Sequence, residues 1–330
     1  MRKVAILDDY QRISLRMADW KLIESLCSVQ LFDRHLGTVQ EAASALADFE
    51  IICLMRERLP FPCALIERLP FLKLLVVTGT HNRTLDLLAA AERGIVVSHT
   101  RGGGTEHSTV ELTWALILAA ARHVAQEDQA MRRGSWQTTI GTTLHGKTLG
   151  VLGLGRLGTF VARIGRAFGM NIIAWSPNLT PERADAAGAT YVSKADLFEQ
   201  SDVLSIHLVL SDRTRGLIAA DELSLMPPHA ILVNTSRGPI IDEAALLAAL
   251  RERRISCAAL DVFDQEPLPQ NHPLRQLENV VLTPHLGYVS KESYKIFFED
   301  MVENISAYLA GTPIRVLNPL VLSHESHAAS

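Results

Sequence analysis

Only four cysteines occur in 330 residues, Cys27, Cys53, Cys63 and Cys257. They are scattered, with no CxxC pair and no Cys/His cluster of metal-ligand spacing, so a disulfide framework and a zinc-finger pattern are excluded. Each reads as a small buried hydrophobe. Positive charge is not in excess either: 32 Lys and Arg face 36 Asp and Glu, a net charge of −4. No bulk field exists to hold a nucleic acid or an anionic membrane surface. Long apolar runs are missing too. The longest, Leu112 to Ala121, contains Thr113 and is closed by Glu111 and Arg122, short of the ~18 residues that a bilayer requires. After Met1-Arg2-Lys3 only Val4 to Leu7 are apolar before Asp8 and Asp9 intervene, which is too little for a secretory signal. A cytoplasmic location is expected. The small, polar end of the chain, around Ser323-His324-Glu325-Ser326, is expected to be a loose tail.

What is present is a globular composition, 48% apolar and 21% charged, in a chain long enough for two domains at about 150 residues each. Short β-branched or Leu-rich runs alternate with helical patterns: Val4 to Leu7, Ile51 to Leu54, Leu74 to Val77 and Ile95 to Val97. That rhythm predicts βαβ units and a parallel sheet. It breaks at Glu106 to Arg133, Ala- and Leu-rich and followed by Gly134, which reads as one long helix. A second α/β series follows, with strands predicted over Thr148 to Leu152, Asn171 to Trp175, Val203 to Ile206, Ile231 to Val233, Ala258 to Leu260 and Val280 to Leu282. Continuous apolar runs of this kind are what buried parallel strands require.

Thr148 to Leu152 leads into Gly153-Leu154-Gly155-Arg156-Leu157-Gly158, and a helical pattern begins at Val161. A bare GxGxxG is weak, but a strand before it and a helix after it make it a dinucleotide turn. Gly153 permits the tight turn, Gly155 lets the backbone approach a pyrophosphate, and Gly158 lets the helix pack on the strand. The helix N-terminus then faces the phosphates. The strand Asn171 to Trp175 ends in Ser176-Pro177-Asn178, without the acid that holds the adenosine ribose of NAD. Nor does an Arg stand beside Ser176 for a 2′-phosphate; Arg156 and Arg183 are the candidates. NAD(H) and NADP(H) both remain open.

Three segments follow predicted strands where open parallel sheets place their ligands: Asn234-Thr235-Ser236-Arg237-Gly238, Asp261-Val262-Phe263-Asp264-Gln265-Glu266-Pro267 and Thr283-Pro284-His285-Leu286-Gly287. Singly each is an ordinary loop. Together, in this order and behind a dinucleotide turn, they resemble the D-isomer-specific 2-hydroxyacid dehydrogenase family. The resemblance extends back to Thr84-Leu85-Asp86 and to Ser108-Thr109-Val110-Glu111-Leu112-Thr113. It implies an α/β fold of two Rossmann-like domains with parallel sheets, the cofactor domain (residues 99–289) inserted into a flavodoxin-like substrate domain (1–98 and 290–330). The last helix, about Lys291 to Ala310, returns to the first domain.

Carried residue by residue, the resemblance implies Arg237 as the substrate-binding Arg, His285 as the proton carrier and Glu266 as its carboxylate partner. Chemistry supports this division. Reduction of a 2-oxo acid needs a hydride at C2 and a proton on the developing alkoxide, which a protonated His supplies. A carboxylate beside it favours the imidazolium and fixes the ring. A guanidinium grips a carboxylate with a planar fork. By the same resemblance Asp261 stands near the nicotinamide carboxamide, Val209 lines the adenosine side, and Thr235, His285 and Gly287 join Gly153, Gly155, Arg156, Leu157, Gly158 and Ser176 as cofactor contacts. Thr78, Gly79 and Thr80 match a loop that meets the substrate carboxylate, Arg56 resembles another substrate-facing Arg, and His81 is unusual beside them. No metal is expected. The resemblance implies a small 2-oxo or 2-hydroxy acid as partner and a homodimer formed through 106–133. The competing reading is a dinucleotide-sensing, corepressor-like binding protein of the same fold.

Overall fold

Most apolar runs that are covered on both sides become strands, and two parallel sheets hold the twelve strands among the described residues. The structure is a computed structural model that describes residues 1–102, 104–319 and 321; the tail around Ser323 to Ser326 lies outside them. The chain forms two compact units, Met1–Gly104 with Ser290–Ser330, and Thr105–Val289.

The first unit contains β1 (Arg2–Ile6), β2 (Cys27–Leu31), β3 (Ile51–Leu54), β4 (Leu74–Val77) and β5 (Val96–His99), in the spatial order β2-β1-β3-β4-β5. All pairs are parallel. This is the flavodoxin-like order, whose reversal point lies between β1 and β3. β3 and β4 are buried along their whole length. The helix Lys291–Leu309 packs on β4. Beyond it Asn318 accepts the Val97 N–H and donates to the Ile95 carbonyl, both at 2.9 Å, sewing the returning chain to β5.

The second unit contains β6 (Thr148–Leu152), β7 (Asn171–Trp175), β8 (Thr190–Tyr191), β9 (Val203–Ile206), β10 (Ile231–Asn234), β11 (Cys257–Leu260) and β12 (Val280–Leu282), in the order β12-β11-β10-β9-β6-β7-β8. Strand order reverses between β6 and β9, where a dinucleotide fold opens its crevice. Alternate side chains go to opposite faces: Leu149, Val151, Val203 and Val233 enter one core, and Leu152, Leu204, Ile206 and Leu232 the other.

Two expectations are corrected. Glu106 to Arg133 is not one helix but two, Thr105–Ala121 and Val124–Arg132. His123 lies between them at φ 52°, a left-handed conformation that ends a helix. The Ala121 carbonyl accepts the Thr142 N–H at 2.7 Å instead of an N–H one turn further along the helix. Of the cysteines, Cys63 is half-buried rather than buried, because it opens a short helix where its Sγ reaches Glu67 at 3.5 Å. No helix among the described residues is long and apolar enough to cross a membrane.

Candidate active site

β6 delivers the chain into Gly153 at φ 105°, which glycine alone adopts easily. A Cβ there would stand 2.7 Å from the His207 carbonyl oxygen at the end of β9, so the turn closes directly over the reversal point. At Gly158 a Cβ would come within 2.1 Å of the Gly153 carbonyl oxygen, and the helix Arg156–Ala167 owes its close seat on β6 to that absence. Gly155 is different: open space surrounds the place of its Cβ, and as N-cap it brings no side chain to the helix N–H groups. A cradle of backbone donors in open space fits a dinucleotide pyrophosphate. Leu157 packs on the core beneath it. Arg156 Nη2 reaches Glu106 Oε1 at 2.6 Å.

After β7, Ser176 is half-buried and its carbonyl accepts the Leu179 N–H at 3.1 Å. Arg183 stands in the helix Pro181–Ala186 that follows this loop and donates to the Asn178 carbonyl at 2.9 Å. Val209, after β9, is exposed, and its carbonyl accepts the Thr214 hydroxyl at 2.7 Å.

The loop after β10 is built by Asn234, whose side chain donates to the Arg237 carbonyl at 2.9 Å and accepts the Ser236 N–H at 3.0 Å. Thr235 is buried within it and Arg237 is half-buried. Gly238 brings this loop against the one after β11: a Cβ at Gly238 would overlap the Phe263 carbonyl carbon at 2.1 Å. Glu266, on that second loop, accepts the Phe263 N–H at 2.9 Å through Oε1 and meets His285 Nδ1 at 2.5 Å through Oε2. Burial works to raise the Glu266 pKa, but the His285 hydrogen bond and charge, the Phe263 N–H and the Arg237 charge outweigh it and hold the carboxyl below its usual value.

His285 itself sits at φ 53°. What holds it there is Asp261, which is fully buried. The Asp261 carbonyl accepts the His285 N–H at 2.8 Å, and its carboxylate accepts the Thr283 hydroxyl, the Leu286 N–H and the Gly287 N–H at 2.6, 2.7 and 2.9 Å. Desolvation dominates these bonds and raises its pKa. The Asp261 carboxylate is thus turned into the His285 loop. The Tyr288 ring, also buried, stands edge-on to the imidazole with centroids 5.7 Å apart. Sequence reasoning passed over Tyr288 and His207. A buried aromatic three residues after His285, and a histidine closing a strand at the reversal point, were the signals available.

In the first unit Arg56 follows β3 at φ 55°. Its N–H donates to the Thr78 hydroxyl at 2.7 Å, and its guanidinium lies where a Gly79 side chain would be, 1.7 Å from the place of a Cβ. The Thr78 N–H donates to the Leu54 carbonyl at 3.1 Å and the Gly79 N–H to the Thr100 hydroxyl at 2.8 Å, so both are engaged within the unit. Thr80 and His81 are exposed and touch each other at 3.3 Å.

Residues 114–287 match the family model of the D-isomer specific 2-hydroxyacid dehydrogenase, NAD binding domain. A glyoxylate reductase of Aeropyrum pernix is 41% identical over 302 residues, 88% of this chain and 89% of that protein. A D-3-phosphoglycerate dehydrogenase of Methanocaldococcus jannaschii is 38% identical over 277 residues, 83% of this chain and 52% of that protein. A solved phosphoglycerate oxidoreductase from Vibrio cholerae O395 is similar with a TM-score of 0.88 at 36% identity, covering 94% of this chain and 100% of that one.

Proposed function

This chain belongs to the D-isomer-specific 2-hydroxyacid dehydrogenase family, and we propose that His285, Glu266 and Arg237 carry its chemistry. As a member it is an oxidoreductase that works with NAD(H) or NADP(H) on a 2-oxo acid or D-2-hydroxy acid. The bound nicotinamide supplies or takes the hydride. Gly153, Gly155 and Gly158 hold the pyrophosphate, with Arg156, Leu157, Ser176, Val209, Thr235, Asp261 and Gly287 around the rest of the cofactor. The unit Thr105–Val289 is the cofactor domain and the other unit the substrate domain.

The observation that carries this reading is the 2.5 Å contact between His285 Nδ1 and Glu266 Oε2. It leaves Nε2 as the atom that exchanges a proton with substrate. In reduction the imidazolium protonates the developing alkoxide, and in oxidation the neutral ring removes the hydroxyl proton. Arg237 binds the oxo acid with its guanidinium fork. Small 2-oxo acids such as glyoxylate and hydroxypyruvate are the substrates to assay. Replacing His285 by Ala should reduce turnover on the order of 100-fold while NADH still binds. Near-native turnover in that variant would remove His285 from its role and favour a dinucleotide-sensing protein.

Without an acid at position 176, both coenzymes should serve, since no like charge repels a 2′-phosphate. A preference for NADH over NADPH of about 100-fold in kcat/KM would contradict this. The chain pairs as a homodimer through the two helices between residues 105 and 132 and the arm that follows them, where Val124 and Met131 on the second helix and Trp136 and Ile140 on the arm expose large apolar surface. A single-chain mass in light scattering at micromolar concentration would exclude the pairing. The free thiols of Cys27, Cys53, Cys63 and Cys257 suit the reducing cytoplasm, a location that cell fractionation tests.

A further inference from the structure

The helix Thr105–Ala121 packs across β10, β11 and β12. Its inward stripe is apolar, with Val110, Trp114, Ile117, Ala120 and Ala121 all in one core. Thr113 lies on that stripe and is fully buried. A buried hydroxyl needs partners, and those of Thr113 are specific. Its Oγ1 donates to the Thr109 carbonyl at 2.8 Å. A carbonyl only accepts and a hydroxyl has one proton, so in the 2.8 Å contact between the Thr113 and Thr235 hydroxyls Thr235 is the donor. One turn earlier, Thr109 Oγ1 donates to the Gly287 carbonyl at 2.9 Å.

These two attachments fall on the two segments that matter. Thr235 stands two residues before Arg237, and Gly287 two residues after His285. The segments leave β10 and β12, which flank β11 and do not pair with each other. We propose that Thr109 and Thr113 are positioning residues, a rail of two hydroxyls one helical turn apart that holds the Arg237 and His285 segments in a common frame. The proposal rests on the roles assigned above to Arg237 and His285. A threonine bonding back along its own helix is an ordinary habit, but that habit calls for neither Thr235 nor Gly287. The fit at Gly287 is close: a Cβ there would stand 3.4 Å from Thr109 Oγ1 and from Asp261 Oδ2. Thr109 and the Asp261 carboxylate therefore hold the same residue, one through its carbonyl and the other through its N–H.

Valine keeps the shape of threonine and removes the hydroxyl, so Thr109→Val and Thr113→Val, with Thr109→Ser and Thr113→Ser as rescues, test the rail beside His285→Ala. The readouts are kcat, KM for the oxo acid and the pH profile with NADH, on the whole chain. Small misplacements of reacting groups cost orders of magnitude, so each valine variant should lose about tenfold in kcat/KM. Thr113→Val acts mainly through KM, because Arg237 moves, and Thr109→Val through kcat with a displaced pH profile, because the His285–Glu266 pair moves. The serine variants should recover to within about twofold, since a hydroxyl is restored. Purely structural threonines would lower Tm and leave kinetics and pH profile in place. Native kinetics in the valine variants, with His285→Ala inactive, would overturn the rail while sparing the role of His285. Near-native rates in His285→Ala would overturn both. Thr109 is half-buried at the helix rim, so Thr109→Val decides the matter even if Thr113→Val does not fold.

Discussion

The two sheets leave their first strands in opposite ways. After β1 the chain runs Leu7-Asp8-Asp9-Tyr10 without a glycine, and the Asp9 carboxylate accepts the Ile13 and Ser14 N–H groups at 3.1 Å each. After β6 it runs through Gly153 and Gly155, and no side chain caps the helix that follows. In one unit the anion at the start of the first helix is part of the chain; in the other that place is left for a ligand. Both sheets are parallel and both reverse strand order beside this turn. The phosphate binding proposed for the second turn therefore rests on the chemistry of that turn and not on the architecture that carries it.

Displacing the helix that stands behind the cradle should break the comparison most severely. Gly158→Ala puts a methyl within 2.1 Å of a backbone carbonyl oxygen. Overpacking of this kind costs about 1–3 kcal/mol, which, falling on the cradle, weakens NADH binding by up to about 100-fold. A fluorescence titration with NADH measures it, and unchanged affinity would mean that the turn is not the phosphate site.

The second effect is proton-linked and rests on a histidine of one unit. Burial lowers the His207 pKa from 6.5 to about 4. Between these values the unfolded chain binds the proton and the folded unit does not, so stability is present above pH 6.5 and lost as pH falls toward 4. At pH 5 the loss is about 2 kcal/mol. β3, which flanks the reversal point of the first sheet as β9 does that of the second, is followed by Met55-Arg56, with no histidine at that place. Urea unfolding at pH 7.5 and pH 5 should show Thr105–Val289 weakening first, and His207→Asn should remove most of the difference. An equal loss in both units would remove the contrast.

The smallest effect tests the other side of the comparison. Asp9→Ala leaves two N–H groups without their carboxylate and should cost about 1 kcal/mol of stability, read from the urea midpoint. NADH affinity should stay unchanged. If it fell, the built-in anion would have a part in cofactor binding and the distinction between the turns would fail.

What could be read from residues alone follows from burial. Ile51–Leu54 and Leu74–Val77 are covered on both faces and so are apolar throughout. Cys27–Leu31 alternates in exposure at a sheet edge, and Thr190–Tyr191 is two exposed residues at another; neither forms a run, and both went unread. The glycine turn was legible because its demands fall on the backbone, where only glycine meets them. The break at His123 was not, since an apolar period does not reveal which residue will turn left-handed. The candidate set His285, Glu266 and Arg237 came from order along the chain and resemblance, but the turning of Asp261 into the His285 loop and the hydroxyl rail did not. They depend on which loop folds back over which helix, and residues so far apart in sequence leave no local trace.

The guanidinium of Arg56 occupies the volume that any side chain at position 79 would need. An alanine at 79 would push the guanidinium aside, which a flexible side chain permits, and would itself bear the strain of φ 83°. A side chain at 79 therefore repositions the positive charge that follows β3. The size of one hydrogen atom at Gly79 thereby decides where the Arg56 charge rests after β3.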